Sequence, residues 1–358
     1  MIRYLEKNEK LNIRSIYEQC FQDSKEYTDY YMNNCLKNNF VAVDEEDGEI
    51  IGAVHLIPKT VTTGKLKTNV FYIYGVSTLE KYRRKGVMKS IFKYILSDMY
   101  EDMEAFTYLI PSDETNAMIY RKLGFEYVMD KELQKKEEAR KKPSHSLILR
   151  KAEPSDFPRL AIFAESAMEE RYDVSLTKNR DYFKKMNDLL EVEDGRIEIY
   201  VENKVVVGYR IVVDDEAIEE VLDNETQSMT WLLNEKKPYA MARIINLRKT
   251  LRLIGMRGVG QFVIEIEDSV LPGNNGRFKI SYEHTNIKME PTTEEAEFHV
   301  TIGQLTQHVF GYKLIDGLPE VCIIYVDIYE YRLLIFIEGS KKRDLKWDSF
   351  NIIKSRWK

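Results

Sequence analysis

Tyr74-Gly75-Val76-Ser77-Thr78-Leu79-Glu80-Lys81-Tyr82-Arg83-Arg84-Lys85-Gly86-Val87-Met88 is the stretch that decides the fold. An apolar run from about Phe71 ends at Thr78, basic residues crowd positions 81–85, and a glycine follows. Apolar residues then recur at helical spacing from Val87 to about Met99, so the stretch predicts a strand, a basic loop and a helix start. A helix start leaves N–H groups without intrahelical acceptors and carries the positive end of the dipole, which suits phosphate groups. Gly86 permits close backbone approach. Arg83, Arg84 and Lys85 add positive charge at the same point. By spacing alone, a basic turn on a solvated face explains these residues equally well.

Working outward, residues 2–5 predict a short strand and 9–21 an amphipathic helix carrying Leu11, Ile13, Ile16 and Phe21. Phe40–Val43 and Ile50–Ile57 predict a hairpin around the acidic turn Asp44–Gly48. Beyond the loop, Phe106–Ile110 predicts a buried strand, and Asn116–Leu123 a short helix stopped by Gly124. Lys131–Lys142 holds nine charges and is followed by Pro143. It predicts a solvated linker or helix end, and a domain boundary.

The next segment repeats the opening. Arg150 follows Leu147-Ile148-Leu149 as Arg3 sits in its own strand, and a helix with Leu160, Phe163, Ala164 and Met168 comes after it. A second hairpin, Ile197–Val201 and Val205–Val213, places Gly208 where the first has Gly52. The offsets, 150 − 3 = 147 and 208 − 52 = 156, suit a divergent duplication. After Val213 the chain is acidic, Asp214-Asp215-Glu216-Ala217-Ile218-Glu219-Glu220, where the first copy is basic, so an anion site is expected in the first copy only. From Met241 onward the pattern is α+β: a strand into a helix over 243–253, strands at Phe262–Glu267 and Arg277–Tyr282 joined through Gly273–Gly276, a helix over 301–310, and strands near 321–337.

The chain has 358 residues, 44% hydrophobic and 31% charged. At ~150 residues per domain this suits two or three domains. The 15 Phe, 23 Tyr and 3 Trp argue against whole-chain disorder. A net charge of −6 gives no overall case for nucleic acid and leaves room for cationic small molecules. Cys20, Cys35 and Cys322 have no CxxC spacing, and no His pair or HExxH suggests a metal, so neither a disulfide framework nor a metal is expected. The start has no apolar signal-like core, and no run of 18 apolar residues occurs, so a cytoplasmic protein without a membrane span is expected.

Two motifs give a resemblance. Arg83-x-x-Gly86 resembles the Arg/Gln-x-x-Gly-x-Gly/Ala signature of the GNAT acetyltransferases, with Met88 standing where that signature has Gly or Ala. Tyr120-x-x-x-Gly124-Phe125 resembles the family's later Tyr-x-x-Leu-Gly-Phe motif. The resemblance implies acetyl-CoA as cosubstrate, with Val76, Ser77 and Thr78 on the pantetheine. It puts Arg83, Arg84, Lys85, Gly86, Val87 and Met88 on the pyrophosphate. It makes Tyr120 the acid that protonates the departing thiolate, since a phenol (pKa ~10) donates to a thiolate (~8.5) only when held close. A helix tyrosine packing its ring in a core is the plain alternative.

The whole layout resembles the Eis-type acetyltransferases. Ala242-Arg243-Ile244-Ile245-Asn246-Leu247 and Leu271-Pro272-Gly273-Asn274-Asn275-Gly276-Arg277 are similar to segments of their last domain. The expected fold is α/β (α+β): tandem GNAT folds, the second degenerate, followed by a sterol-carrier-like α+β domain, with boundaries 1–142, 143–238 and 239–358. The resemblance implies acetyl transfer to a primary amine (aminoglycoside-like, polyamine or lysine side chain) by direct transfer in a ternary complex, and a homo-hexamer. It also implies that the free carboxylate of Lys358 acts as base. Asp23, Glu26, Tyr30 and Tyr31 follow the first helix, where GNAT folds border the acceptor, and by charge and cation–π contact they suit a cation. An ordinary solvated helix explains them too. The rival from another class is a non-catalytic CoA- or lipid-binding protein, which CoA release with an amine would exclude.

Overall fold

In a computed structural model of the chain, the described residues are 1–63, 66–134, 147–171, 174–223, 234–284, 286–321 and 326–327. The first copy runs β1 (Ile2–Tyr4), α1 (Arg14–Cys20), α2 (Lys25–Tyr30), β2 (Phe40–Glu46), β3 (Glu49–Thr63), β4 (Leu66–Thr78), α3 (Val87–Glu101), β5 (Phe106–Leu109), α4 (Glu114–Arg121) and β6 (Glu126–Gln134). The second runs β7 (Ile148–Lys151), α5 (Phe157–Arg171), β8 (Val174–Leu176), α6 (Arg180–Leu190), β9 (Arg196–Glu202), β10 (Val205–Val213) and β11 (Glu216–Leu222). Then come β12 (Asn234–Ile244), α7 (Leu247–Ile254), β13 (Val259–Glu267), β14 (Gly276–Glu283), β15 (Asn286–Pro291), β16 (Phe298–Thr301) and α8 (Ile302–Val309).

The large sheet has the order β1-β2-β3-β4-β5-β12-β6, parallel only between β4 and β5 along this path. Alternation along the strands divides its faces. Ala42, Val54, Leu56 and Ile73 meet Ile91, Phe92, Ile95 and Leu96 of α3. Val41, Val43, Ala53, Tyr72 and Tyr74 turn to the other face, under Ile16 and Tyr17 of α1 and Tyr27 of α2. The six buried residues of the α3 stripe recur at helical spacing, and full burial of each large apolar side chain contributes about 1.5–3 kcal/mol. Gly52 lets α3 approach, because a Cβ there would stand 2.5 Å from Val87 Cγ1.

The second copy forms its own sheet in the order β11-β10-β9-β7, the counterpart of β4-β3-β2-β1. Both copies tie strand to helix in the same way. Arg3 forks onto Glu9 at 2.6 and 3.0 Å, and Arg150 onto Asp156 at 2.7 and 2.8 Å. Both pairs are six residues apart, and both residues keep the offset of 147. The acidic run after Val213 leads into β11, where Glu219 is buried against Lys178 Nζ at 3.1 Å and Glu220 accepts from the Tyr200 hydroxyl. Only residues 223–233 lie between β11 and β12, fewer than the 15 residues of α3 alone.

β12 leaves the second copy and slots into the first sheet between β5 and β6, so the boundary expected at 239 falls inside a strand. Lys131–Gln134, expected to be linker, instead continue β6 along β12. The chain then passes directly into α7, capped by Asn246, whose side chain accepts from the Lys249 N–H at 3.0 Å. The last sheet has the order β15-β14-β13-β16. α8 packs back on β12 and β6. Arg243 of β12 is fully buried and forks onto Asp268 at 2.8 Å through both carboxylate oxygens, while its other nitrogen reaches the Leu123 carbonyl. Gly124 sits at φ +83° with that guanidinium where its Cβ would be, 1.8 Å from Nη1. Of the expected strands near 321–337, only Val326–Asp327 is described, paired with Val174–Ser175; the rest lie outside the described residues. Among the described residues no helix is long and apolar enough to cross a membrane.

Candidate active site

β4 pairs with β5 only from Phe71 to Ile73, opposite Thr107 to Leu109, yet it runs on to Thr78. Beyond Ile73 no strand pairs with it on that side among the described residues. A bulge accompanies the parting: Ala53 faces Ser77 but His55 faces Tyr74, so β4 carries one extra residue between them. Gly75, at φ +57°, supplies the left-handed conformation, and the His55 ring fills the space its Cβ would take, with Nδ1 2.9 Å away. Val76, Ser77 and Thr78 thus lie on the part of β4 that has left β5, along one side of the slot between the two strands. Val76 and Thr78 are half-buried; Ser77 is buried, with its hydroxyl on the Ala53 carbonyl at 3.4 Å.

The slot leads to the helix start singled out in the sequence. Glu80–Tyr82 form one turn of 3₁₀ helix, Arg84 adopts φ +63° and Gly86 φ +88°. The first intrahelical bond goes from Ser90 N–H to the Gly86 carbonyl. The N–H groups of Val87, Met88 and Lys89 therefore belong to the open first turn, which holds no acidic side chain. Arg83, Arg84, Lys85 and Gly86 are exposed around it. Arg83 Nε also donates to the Thr78 carbonyl at 3.3 Å, bracing the loop on the end of β4. The Val87 side chain packs inward and Met88 is half-buried, so both offer the loop their backbone.

Tyr120 lies in the last turn of α4, whose cap Asp113 accepts from the Asn116 N–H at 2.8 Å. It is 8% exposed, with its ring 5.6 Å from Phe92 and 6.2 Å from Phe125. It shares one cluster with Ile73 and Leu109, the last paired residues before β4 and β5 part. The acid candidate thus stands on the α3 face, in the core cluster that holds the last paired residues of β4 and β5.

The opposite face holds residues that sequence reasoning missed. Tyr17 donates to Asp23 at 2.6 Å and lies 2.8 Å from the Tyr74 oxygen, and Tyr27 lies 3.3 Å from the same oxygen. Tyr31 bonds His55 Nδ1 at 2.6 Å and accepts from Asn39 at 3.1 Å. Burial, first of all, raises Tyr17, Tyr27 and Tyr31 well above the usual phenol range and lowers His55 to about 3, keeping its imidazole neutral. The available signal was Tyr27 and Tyr31 at i, i+4 and Tyr72 and Tyr74 at strand alternation. Of the expected acceptor residues, Asp23 joins this network and Tyr30 is half-buried. Glu26 is exposed on α2. Tyr31 is a core residue, 3% exposed and stacked on His55, not an open pocket wall. Lys358 lies outside the described residues.

Residues 1–128 match the family described as acetyltransferase (GNAT) domain, and residues 243–323 match the sterol carrier protein domain. No curated protein matches the chain. Among solved structures, a probable N-acyltransferase of Enterococcus faecalis V583 is 16% identical, with TM-score 0.70 over 87% of this chain and 90% of its own. A GCN5-related N-acetyltransferase from Anabaena variabilis is 17% identical, with TM-score 0.67 over 86% and 90%. Eis1 of Mycobacterium abscessus is 14% identical, with TM-score 0.66 over 87% and 90%. At such identities the likeness is one of fold, and the two family matches assign domains within the chain. The chain carries an acetyltransferase (GNAT) domain over residues 1–128 and a sterol carrier protein domain over residues 243–323, on a fold shared with Eis1.

Proposed function

We propose that the chain moves an acetyl group from acetyl-CoA to a primary amine by direct attack within a ternary complex. The observation that carries this reading is the parted β4–β5 pair, followed through one 3₁₀ turn and the basic loop by the open helix start at Gly86. A pantetheine arm lies along Val76–Thr78 and bonds backbone as an added strand would, while the pyrophosphate takes the N–H groups of Val87–Lys89 and the charge of Arg83, Arg84 and Lys85. Tyr120, on the α3 face, protonates the thiolate as it leaves. Glu26, exposed on α2, and the half-buried Tyr30 offer the amine a charge and a ring on the other face, and a net charge of −6 favours a cationic acceptor of the aminoglycoside, polyamine or lysine kind. The family resemblance further supports a cytoplasmic homo-hexamer, which sedimentation would measure.

The test is Tyr120→Phe, assayed by CoA release with a panel of amines. The expected result is a fall in kcat of about a hundredfold or more with acetyl-CoA affinity kept. Unchanged turnover would remove Tyr120 from the chemistry, and a wild type that releases CoA with no amine would reject the reading itself.

A further inference from the structure

A line of hydroxyl groups crosses the interior of the first domain and ends on a carboxylate. From the inside outward it runs Tyr74, Tyr17, Asp23, with separations of 2.8 and 2.6 Å. Tyr74 is the residue immediately before the Gly75 bulge, where β4 has already left β5. Cys20 Sγ is 3.6 Å from the Thr78 carbonyl, so the end of α1, and with it the turn to Asp23, runs beside the last residues of β4. Tyr74, the first residue of β4 past its pairing with β5, borders the parted strands, and Asp23, half-buried, ends the line. Tyr17 and Tyr74 are 1% and 5% exposed. Packing alone does not call for phenols here, because each buried hydroxyl has to be matched by another.

We infer that Tyr74, Tyr17 and Asp23 form a proton relay that takes the amine's proton out of the slot during acyl transfer. The inference rests on the transfer reading above. The acceptor reacts as the neutral amine, having left its ammonium proton to water; its lone pair attacks the thioester carbonyl, an N–C bond forms, and the carbonyl π pair moves to oxygen. The N–H bond then breaks toward the Tyr74 oxygen, Tyr74 O–H toward Tyr17, and Tyr17 O–H toward the Asp23 carboxylate, which becomes a carboxylic acid. Each phenol gives one proton and takes one, so neither is left charged. The C=O bond re-forms, the C–S pair leaves on sulfur, and Tyr120 protonates the thiolate. Water then removes the proton from Asp23 and returns one to Tyr120. Amine and thioester have become amide and thiol.

The groups facing this line are Tyr27 and Tyr31 on the α2 side, His55 of β3 and Tyr72 of β4. A standing phenolate is disfavoured there, because burial raises Tyr17 and Tyr27 far above the usual phenol range. His55 is a poor base, since burial lowers it to about 3. A passed proton needs neither group to hold charge.

The control is built into the cluster. Tyr27 also contacts the Tyr74 hydroxyl, but at the longer distance of 3.3 Å, and it feels the Asp23 charge, whereas Tyr17 donates to that carboxylate at 2.6 Å. Tyr17→Phe, Asp23→Asn and Tyr27→Phe in the full chain are compared by CoA release with a polyamine, by acetyl-CoA calorimetry and by kcat in mixtures of light and heavy water. The relay expects Tyr17→Phe and Asp23→Asn each to lower kcat by about a hundredfold with acetyl-CoA affinity kept. It expects kcat to curve with deuterium fraction in wild type and Tyr27→Phe and to become linear in Tyr17→Phe. Asp23→Asn, at the outer end, decides the matter if Tyr17→Phe fails to fold. Tyr17→Phe turning over as wild type does, or Tyr27→Phe falling as far, overturns the relay. So does an extension past Lys358 abolishing turnover that Tyr17→Phe and Asp23→Asn both retain. A wild type that binds no acetyl-CoA fails at the earlier reading and takes the relay with it.

Discussion

Replacing Gly86 by alanine and by glutamate separates two things that the proposed pyrophosphate site draws from one position. No atom lies within 4 Å of the place where a Cβ would stand, so either side chain fits, and only the backbone at φ +88° resists. That strain is about 1–2 kcal/mol for a residue other than glycine, and it acts on stability. Alanine stops there. Glutamate also sets a negative charge beside the N–H groups of Val87–Lys89. Taking about 6 Å to each phosphate and an effective dielectric of about 40 for this exposed loop, the repulsion is about 1.4 kcal/mol per charge. The two charges of a pyrophosphate give about 3 kcal/mol, or about a hundredfold in Kd. Calorimetric titration of acetyl-CoA at low and high salt, with melting curves for both variants, reads each effect separately. Gly86→Glu is expected to bind about a hundredfold more weakly than Gly86→Ala at low salt, with the gap narrowing as salt screens it. Equal affinity of the two variants at low salt would mean that no phosphate sits at this helix start.

Two further outcomes follow from burial. Gly124→Ala forces a Cβ onto the Arg243 guanidinium, so it should lose the Arg243–Asp268 pair, about 3–5 kcal/mol, in addition to about 1–2 kcal/mol from φ +83°. Urea unfolding checks this, and a loss below about 2 kcal/mol would show that the pair re-seats around the methyl group. His55 takes up a proton near ~6.5 in the unfolded chain but only near about 3 when folded, so the unfolded state binds more protons between those values. Its contribution is complete above pH ~6.5 and lost as pH falls toward 3, with a slope of up to about 1.4 kcal/mol per unit. His55→Gln should flatten that slope in unfolding curves between pH ~4 and ~7, and an unchanged slope would reject the assignment. Asp156, whose carboxyl the Arg150 fork holds below the ordinary range, also loses its contribution as pH falls, but only below ~3.8, so of the two only His55 changes between pH ~4 and ~6.5.

The basic loop, Gly86 and both hairpins were legible because each depends on neighbours in sequence. A strand end, a glycine and a helix start are local events, whereas the parting of β4 from β5 depends on a strand 36 residues further along the chain. β11 was not legible, because Glu219 is neutralised by Lys178, 41 residues away. α6 had its signal, Asn179 as cap before Phe183, Met186, Leu189 and Leu190, but the charged residues between them hid the stripe. The relay could not be read at all: Tyr17 and Tyr74 meet across 57 residues, and nothing near either names the other. Gly124 is the instructive mixture. Its place at the end of a helix was evident, while its neighbour Arg243 comes from the far side of a whole domain.

β12 imposes an order on the protein's synthesis. The strand that fills the gap between β5 and β6 leaves the ribosome only after the entire second copy, more than a hundred residues past Leu109. At about 5–20 residues per second, β5 waits several seconds with one edge unpaired. During that interval the nascent chain presents a template for wrong pairing. The second copy is thereby held in place by the first: a deletion that removes it together with its last strand opens the acetyltransferase sheet. A lineage that no longer needed anything from the degenerate copy would still have to keep the return path that delivers β12.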